Sequence, residues 1–180
     1  WIFSKLVTDE GIEGWGEMIS GTKTETVVAG ATELAQTLIG RDPFAIETLW
    51  QELYNSFFRG GPINATIVSG IETALWDIKG KALNVPIYEL LGGRARDRIK
   101  VYSWIGGDRP DDVVREALDR KNRGFDAVKM NATEELHYID SYEKVQAVVD
   151  RVASIRKEMG AGFGIAVDFH GRVHKPMAKV

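Results

Sequence analysis

The chain has 180 residues, with 23 Lys and Arg against 26 Asp and Glu, a formal charge of −3 at neutral pH, and 44% hydrophobic and 27% charged side chains. That balance supports a core of normal size and excludes the basic stripe of a nucleic-acid binder, while leaving a small anionic substrate open because local groups decide that. The absence of cysteine removes disulfide scaffolds, Cys-ligated zinc and thiolate nucleophiles, and with no apolar run of membrane-spanning length the expected setting is cytoplasmic, with no membrane partner.

In chain order, residues 1–19 predict a β-hairpin, since apolar positions alternate on both sides of Thr8-Asp9-Glu10-Gly11. Helices follow over 24–38 and 43–56, punctuated by Gly40-Arg41-Asp42-Pro43. After the loop Phe58-Arg59-Gly60-Gly61-Pro62, a third helix over 63–83 carries Ile67, Ile71, Leu75, Ile78 and Ala82 on one stripe, and a short helix ends at Gly92-Gly93. Trp50 and Trp76 are assigned to the core. Strands followed by helices indicate an α+β domain over 1–95.

The pattern then changes to alternation: strand 99–104, helix 110–123, strand 125–131, helix 141–159 and strand 163–169. Such alternation means parallel strands with crossover helices. No Gly-rich phosphate loop accompanies a strand–helix pair, because Gly160-Ala161-Gly162-Phe163-Gly164 precedes a strand and reads as a helix stop. A (β/α)8-type barrel is therefore favoured over a nucleotide-binding sheet, with 96–180 supplying its first three β/α units. Trp1 already lies in a strand-like run and Val180 follows shortly after a new segment begins, so the chain is expected to be the front portion of a longer protein.

Positions two apart on a strand share a face. Asp168 and His170 are thus expected together at the C-terminal end of one strand, and Lys129 and Asn131 at the same end of its neighbour. That end is where parallel β/α folds place their active sites. A carboxylate is a hard ligand for Mg²⁺, an imidazole can exchange a proton near neutrality, and a lysine can hold developing negative charge. Singly, each has a plainer reading: Asp168-x-His170 as a loop cap, Lys129 as a snorkelling side chain, Asn131 as a turn residue. Their coincidence on two strands favours the site. His137 and His174 lie in polar segments and are assigned no role, while Tyr102 and Trp104 line the pocket or simply pack.

The hairpin-plus-helices order, Ile71-Glu72-Thr73-Ala74-Leu75-Trp76-Asp77-Ile78-Lys79-Gly80-Lys81 and Leu90-Leu91-Gly92-Gly93 resemble the enolase superfamily, mandelate racemase subgroup. Tyr102-Ser103-Trp104-Ile105-Gly106-Gly107-Asp108-Arg109-Pro110, Asp168-Phe169-His170-Gly171-Arg172-Val173 and Pro176-Met177-Ala178-Lys179 resemble the subgroup's sugar-acid dehydratases, the galactonate-specific ones in particular. The resemblance implies that Asp168 is the first of three carboxylate ligands to Mg²⁺ and that His170 protonates a departing 3-hydroxyl. It implies a Mg²⁺-dependent loss of water from an aldonate, D-galactonate favoured over gluconate or mannonate, giving a 2-keto-3-deoxy acid through an enediolate. Residues near 18–24 and 57–64 match loops that set specificity, with Arg59 and Asn64 as substrate contacts beside Asn131. The remaining metal ligands and a partner histidine are expected after Val180, and a homo-oligomer is expected. Where racemases of this superfamily carry Lys-x-Lys, with the second lysine as a base, this chain has Lys129 and Asn131, which disfavours two-base racemisation using that lysine. The alternative outside catalysis is an inactive fragment with unpaired strand edges.

Overall fold

A computed structural model of the chain describes residues 1–19, 21–56, 60–107, 109–131 and 136–180. It divides into two compact units, Trp1–Asp97 and Arg98–Val180.

In the first unit, β1 (Phe3–Val7) pairs antiparallel with β2 (Glu13–Glu17), in register from Phe3 opposite Glu17 to Val7 opposite Glu13. The Thr8 hydroxyl accepts the Ile12 N–H at 3.0 Å and closes the connection. α1 (Thr24–Ala35) ends three residues before the predicted stop, and 36–40 are turns. α2 (Ile46–Asn55) starts later than predicted because the Asp42 carboxylate takes the Phe44 N–H at 2.8 Å, holding the segment after Pro43 in a turn. α3 (Pro62–Leu83) opens on Pro62 and closes on Asn84 in the left-handed conformation, φ 53°. A short α4 (Ile87–Leu90) follows.

The core of this unit gathers Val27 from α1, Ile46, Leu49 and Leu53 from α2, and Ile67, Val68, Ile71 and Leu75 from α3. Burying a side chain of this size contributes about 1.5–3 kcal/mol. Trp50 and Trp76 pack at its margin, half-buried, whereas Ala82 is exposed because the α3 stripe rotates out of the core before the helix ends. The hairpin lies directly on α3: a Cβ on Gly16 would stand 2.8 Å from the Gly70 carbonyl carbon, and one on Gly14 would stand 3.0 Å from that of Ala74. Asp77 fastens the same junction by accepting the Trp15 N–H at 2.9 Å and the Lys81 ammonium at 2.6 Å. Its carboxyl is held below the ordinary range, with burial opposing and the Lys81 and Trp15 donors prevailing.

In the second unit, β3 (Ser103–Trp104), β4 (Ala127–Asn131) and β5 (Gly164–Asp168) form a parallel sheet in that order. The strand predicted over 99–104 contracts to its last two residues. Ile99 and Val101 alternate as a strand would, but they are exposed and unpaired with β4. α5 (Pro110–Asn122) and α6 (Tyr142–Met159) cover one face of the sheet. Val128 and Met130 from β4 meet Val113 and Ala117 of α5 and Ile155 and Met159 of α6 in a core completed by Ile105 and Phe163. At the end of α6, Arg156 Nη1 donates to the carbonyls of Gly160, Ala161 and Phe163 at 2.8, 3.2 and 2.6 Å, setting the turn into β5. A short helix that sequence periodicity did not suggest, α7 (Lys175–Ala178), follows β5 and buries Met177.

Candidate active site

Strand parity explains the polar rim. Val128 and Met130 point into the core, so Ala127, Lys129 and Asn131 point to the opposite face. In-register pairing places Lys129 opposite Ala166 and Asn131 opposite Asp168. Gly164 sits where a Cβ would come within 2.8 Å of the Ala127 Cβ, so the absence of a side chain there keeps the two strands close. Lys129 Nζ reaches Asp168 Oδ2 at 2.5 Å, and both side chains are about a quarter to a third exposed (24% and 30%).

His170 reaches the same carboxylate by a different route from the one expected. β5 ends at Asp168, and parity ends with it. The chain turns through His170 at φ 48° and Gly171 at φ 66°, both left-handed, a conformation uncommon for a residue with a side chain. The His170 N–H donates to Asp168 Oδ1 at 2.7 Å, its ring Nδ1 lies 3.4 Å from Asp168 Oδ2, and the Arg172 N–H closes on the Phe169 carbonyl at 2.8 Å. The imidazole therefore stands beside the carboxylate because the backbone curls back. Its side chain is 57% exposed and accessible to a small molecule.

The Lys129 ammonium, followed by the His170 N–H, holds the Asp168 carboxyl down at about 2. It is a full anion across the neutral range. A second depressed carboxyl, Asp140, lies in the connection between β4 and α6. The Ser141 and His137 N–H groups hold it at about 2 with help from Lys144. The same connection contacts the turn after β5: the Leu136 N–H donates to the Arg172 carbonyl at 3.0 Å, and Tyr138 stacks on His174 at 3.9 Å between centroids and 6° between planes. Sequence reasoning gave none of these residues a role, and the one available signal was an aromatic and a histidine in loops that leave adjacent parallel strands.

Asn64 belongs to the first unit, where its amide nitrogen approaches the Leu53 and Tyr54 carbonyls at 3.4 Å each and covers the end of α2. Arg59 lies outside the described residues.

Asp168 suits Mg²⁺ in kind: an ionised, accessible, hard oxygen donor, with the amide of Asn131 at the paired position on the neighbouring strand. Among the described residues no group of three or more His, Cys, Asp or Glu assembles to hold an ion. The described residues thus offer one carboxylate corner of such a site.

An α+β unit followed by parallel β/α units with charged groups at their C-terminal rim defines the class: a capping domain and the start of a barrel. The model of the mandelate racemase / muconate lactonizing enzyme N-terminal domain matches residues 1–92, and that of the enolase C-terminal domain-like family matches residues 112–180. The chain belongs to the mandelate racemase / muconate lactonizing enzyme family of the enolase superfamily. The D-galactonate dehydratase of Variovorax paradoxus is 52% identical over 99% of this chain and 47% of its own length. A crystal structure of a proposed dehydratase from Zymomonas mobilis superposes with a TM-score of 0.90 at 33% identity, over 95% of this chain and 50% of its own. A crystal structure of an enolase from Agrobacterium radiobacter, a proposed galactarate dehydratase with bound Na and L-malate, superposes with a TM-score of 0.86 at 32% identity, over 98% of this chain and 46% of its own. The chain spans about half the length of the curated relatives it matches.

Proposed function

We propose that the protein is a Mg²⁺-dependent hydro-lyase that removes water from an aldonate, D-galactonate in particular, to give a 2-keto-3-deoxy acid. The observation that carries this reading is the convergence of Lys129, Asp168 and His170 at the C-terminal ends of adjacent parallel strands. The identity to D-galactonate dehydratases over nearly the whole chain supports the choice of substrate class.

In this reading Asp168, with further ligands from outside the described residues, holds the ion. When bound, the ion would supply positive charge that stabilises the anion formed as the C2 proton passes to a base from outside the described residues. Protonated His170 gives its proton to the 3-hydroxyl oxygen as the C–O bond breaks, so the group departs as water rather than hydroxide. Asp168 Oδ2 lies 3.4 Å from the imidazole Nδ1, and its Oδ1 steadies the His170 backbone N–H. Lys129 lies next to the same carboxylate and is placed to pair with negative charge on the substrate. Asn131 at the paired register position is assigned to binding a substrate hydroxyl; for Arg59 and Asn64 the same kind of role rests on the sequence resemblance alone. The Lys129/Asn131 pair lacks the second lysine that Lys-x-Lys members use as a base, so racemisation through that lysine is disfavoured and water loss is preferred.

The test is incubation of the full-length protein with Mg²⁺ and a panel of aldonates, reading 2-keto acid. D-galactonate is expected to react fastest, and His170→Asn to lower kcat by roughly 10²-fold or more, the usual worth of a placed proton donor. Normal turnover by His170→Asn, or no product from any aldonate, would overturn the assignment.

A further inference from the structure

We propose that the stacked rings of Tyr138 and His174 form a buckle that holds the His170 turn in register, which makes Tyr138 and His174 positioning residues for the proton donor; this rests on the reading of His170 given above. The turn needs such a device. His170 occupies a left-handed conformation with its side chain exposed, and strained backbone persists only where its surroundings over-determine it.

The near end of the turn is fixed by Asp168, through Oδ1 and the His170 N–H. Among the described residues, the far end is met by Leu136, Tyr138 and Asp140, which precede α6. Leu136, itself buried, donates its N–H to the Arg172 carbonyl. Two residues further along each chain, the Tyr138 ring lies flat on the His174 ring at 3.9 Å. Two residues beyond Tyr138, the Asp140 N–H meets Met177 Sδ at 3.3 Å. The contacts run in order along both segments, as the teeth of a zip do. Asp140 anchors the donor side, since its carboxylate collects the His137 and Ser141 N–H groups and the Lys144 ammonium.

Tyr138 is 70% exposed and belongs to neither hydrophobic core. Its ring contact is the stack on His174. An aromatic pair of this kind shifts the population of the conformation it closes by roughly two- to tenfold. Misplacing a reacting group by about an ångström slows chemistry without weakening substrate binding to the same degree. The buckle is therefore read in kcat rather than KM.

The experiment compares Tyr138→Ala with Tyr138→Phe in the full-length protein, with His174→Ala as an independent removal of the other ring. Hydrogen–deuterium exchange is followed at the amides of Leu136, His170 and Arg172, alongside kcat and KM for D-galactonate. Both alanine variants are expected to speed exchange at these amides several-fold and to lower kcat several-fold with KM within about twofold of wild type. Tyr138→Phe keeps the ring and is expected to restore both. Unchanged exchange, unchanged kcat despite faster exchange, or a Tyr138→Phe variant as impaired as Tyr138→Ala would overturn the buckle. If the wild-type protein dehydrates no aldonate, the proposed reaction fails, and the exchange comparison alone still decides whether the rings hold the turn.

Discussion

Gly16→Ala probes the seat of the hairpin on α3. The new methyl group would lie 2.8 Å from the Gly70 carbonyl carbon and 3.0 Å from Ser4 Oγ, with the Gly70 oxygen nearer still. Carbon–carbon contact is comfortable from about 3.5 Å, so β2 must retreat by at least roughly 0.7 Å, and further to clear the nearer oxygen, from a neighbour that is itself backbone. Overpacking of that kind costs about 1–3 kcal/mol. The retreat also stretches the 3.0 Å hydrogen bond from Ser4 Oγ to the Gly70 carbonyl, whose loss adds about 1 kcal/mol. A total of about 2–4 kcal/mol lowers the melting temperature of a unit this size by roughly 10–25 °C. Thermal unfolding followed by circular dichroism reads it, with Gly162→Ala as the control, because a Cβ there meets nothing within 4 Å. A Gly16→Ala midpoint indistinguishable from that of Gly162→Ala would refute the close backbone approach on which the estimate rests.

Lys129→Met removes the largest influence holding Asp168 down, leaving the His170 N–H. The folded carboxyl near 2 lies below its ordinary 3.8, so it contributes stability that is present above about pH 3.8 and lost as the pH falls toward 2. Acid unfolding curves of Lys129→Met are expected to show a smaller rise in stability between about pH 2 and 4 than wild type, and an identical rise would remove the ion pair from the account. Ile155→Ala empties a fully buried position between α6 and the sheet and is expected to lower unfolding free energy by about 2–5 kcal/mol in urea titrations.

Much of this architecture was legible because its signals are periodic. The α3 stripe and the alternation of Val128 and Met130 with Lys129 and Asn131 each follow from one repeat length, and single glycines mark the ends of α5 and α6. Asp168 and Lys129 met as strand parity predicted, since in-register parallel pairing carries a face from one strand to the next. What parity could not supply is the position of His170. Its neighbour relation to Asp168 arises after the strand has ended, from a left-handed residue that no hydrophobic pattern announces. The strand expected from Ile99 onward shortened because alternation records only a tendency to extend, whereas a strand also needs a partner. His174, read as a polar loop residue, proved half-buried under an aromatic ring because loop–loop contacts leave no trace in local composition.

The carbonyl clamp of Arg156 lies at the opposite end of β5 from Asp168. It shapes the turn that leads into Gly164, which pairs with Ala127, and later pairings on that strand follow in step. A slip of a single residue would present Val167, rather than Asp168, to the lysine across the strand, because each step along a strand reverses the face. The guanidinium thus serves as the zero mark of a ruler whose reading is taken at the rim: substitution of Arg156, which touches no substrate, would be felt first as a misaddressed carboxylate.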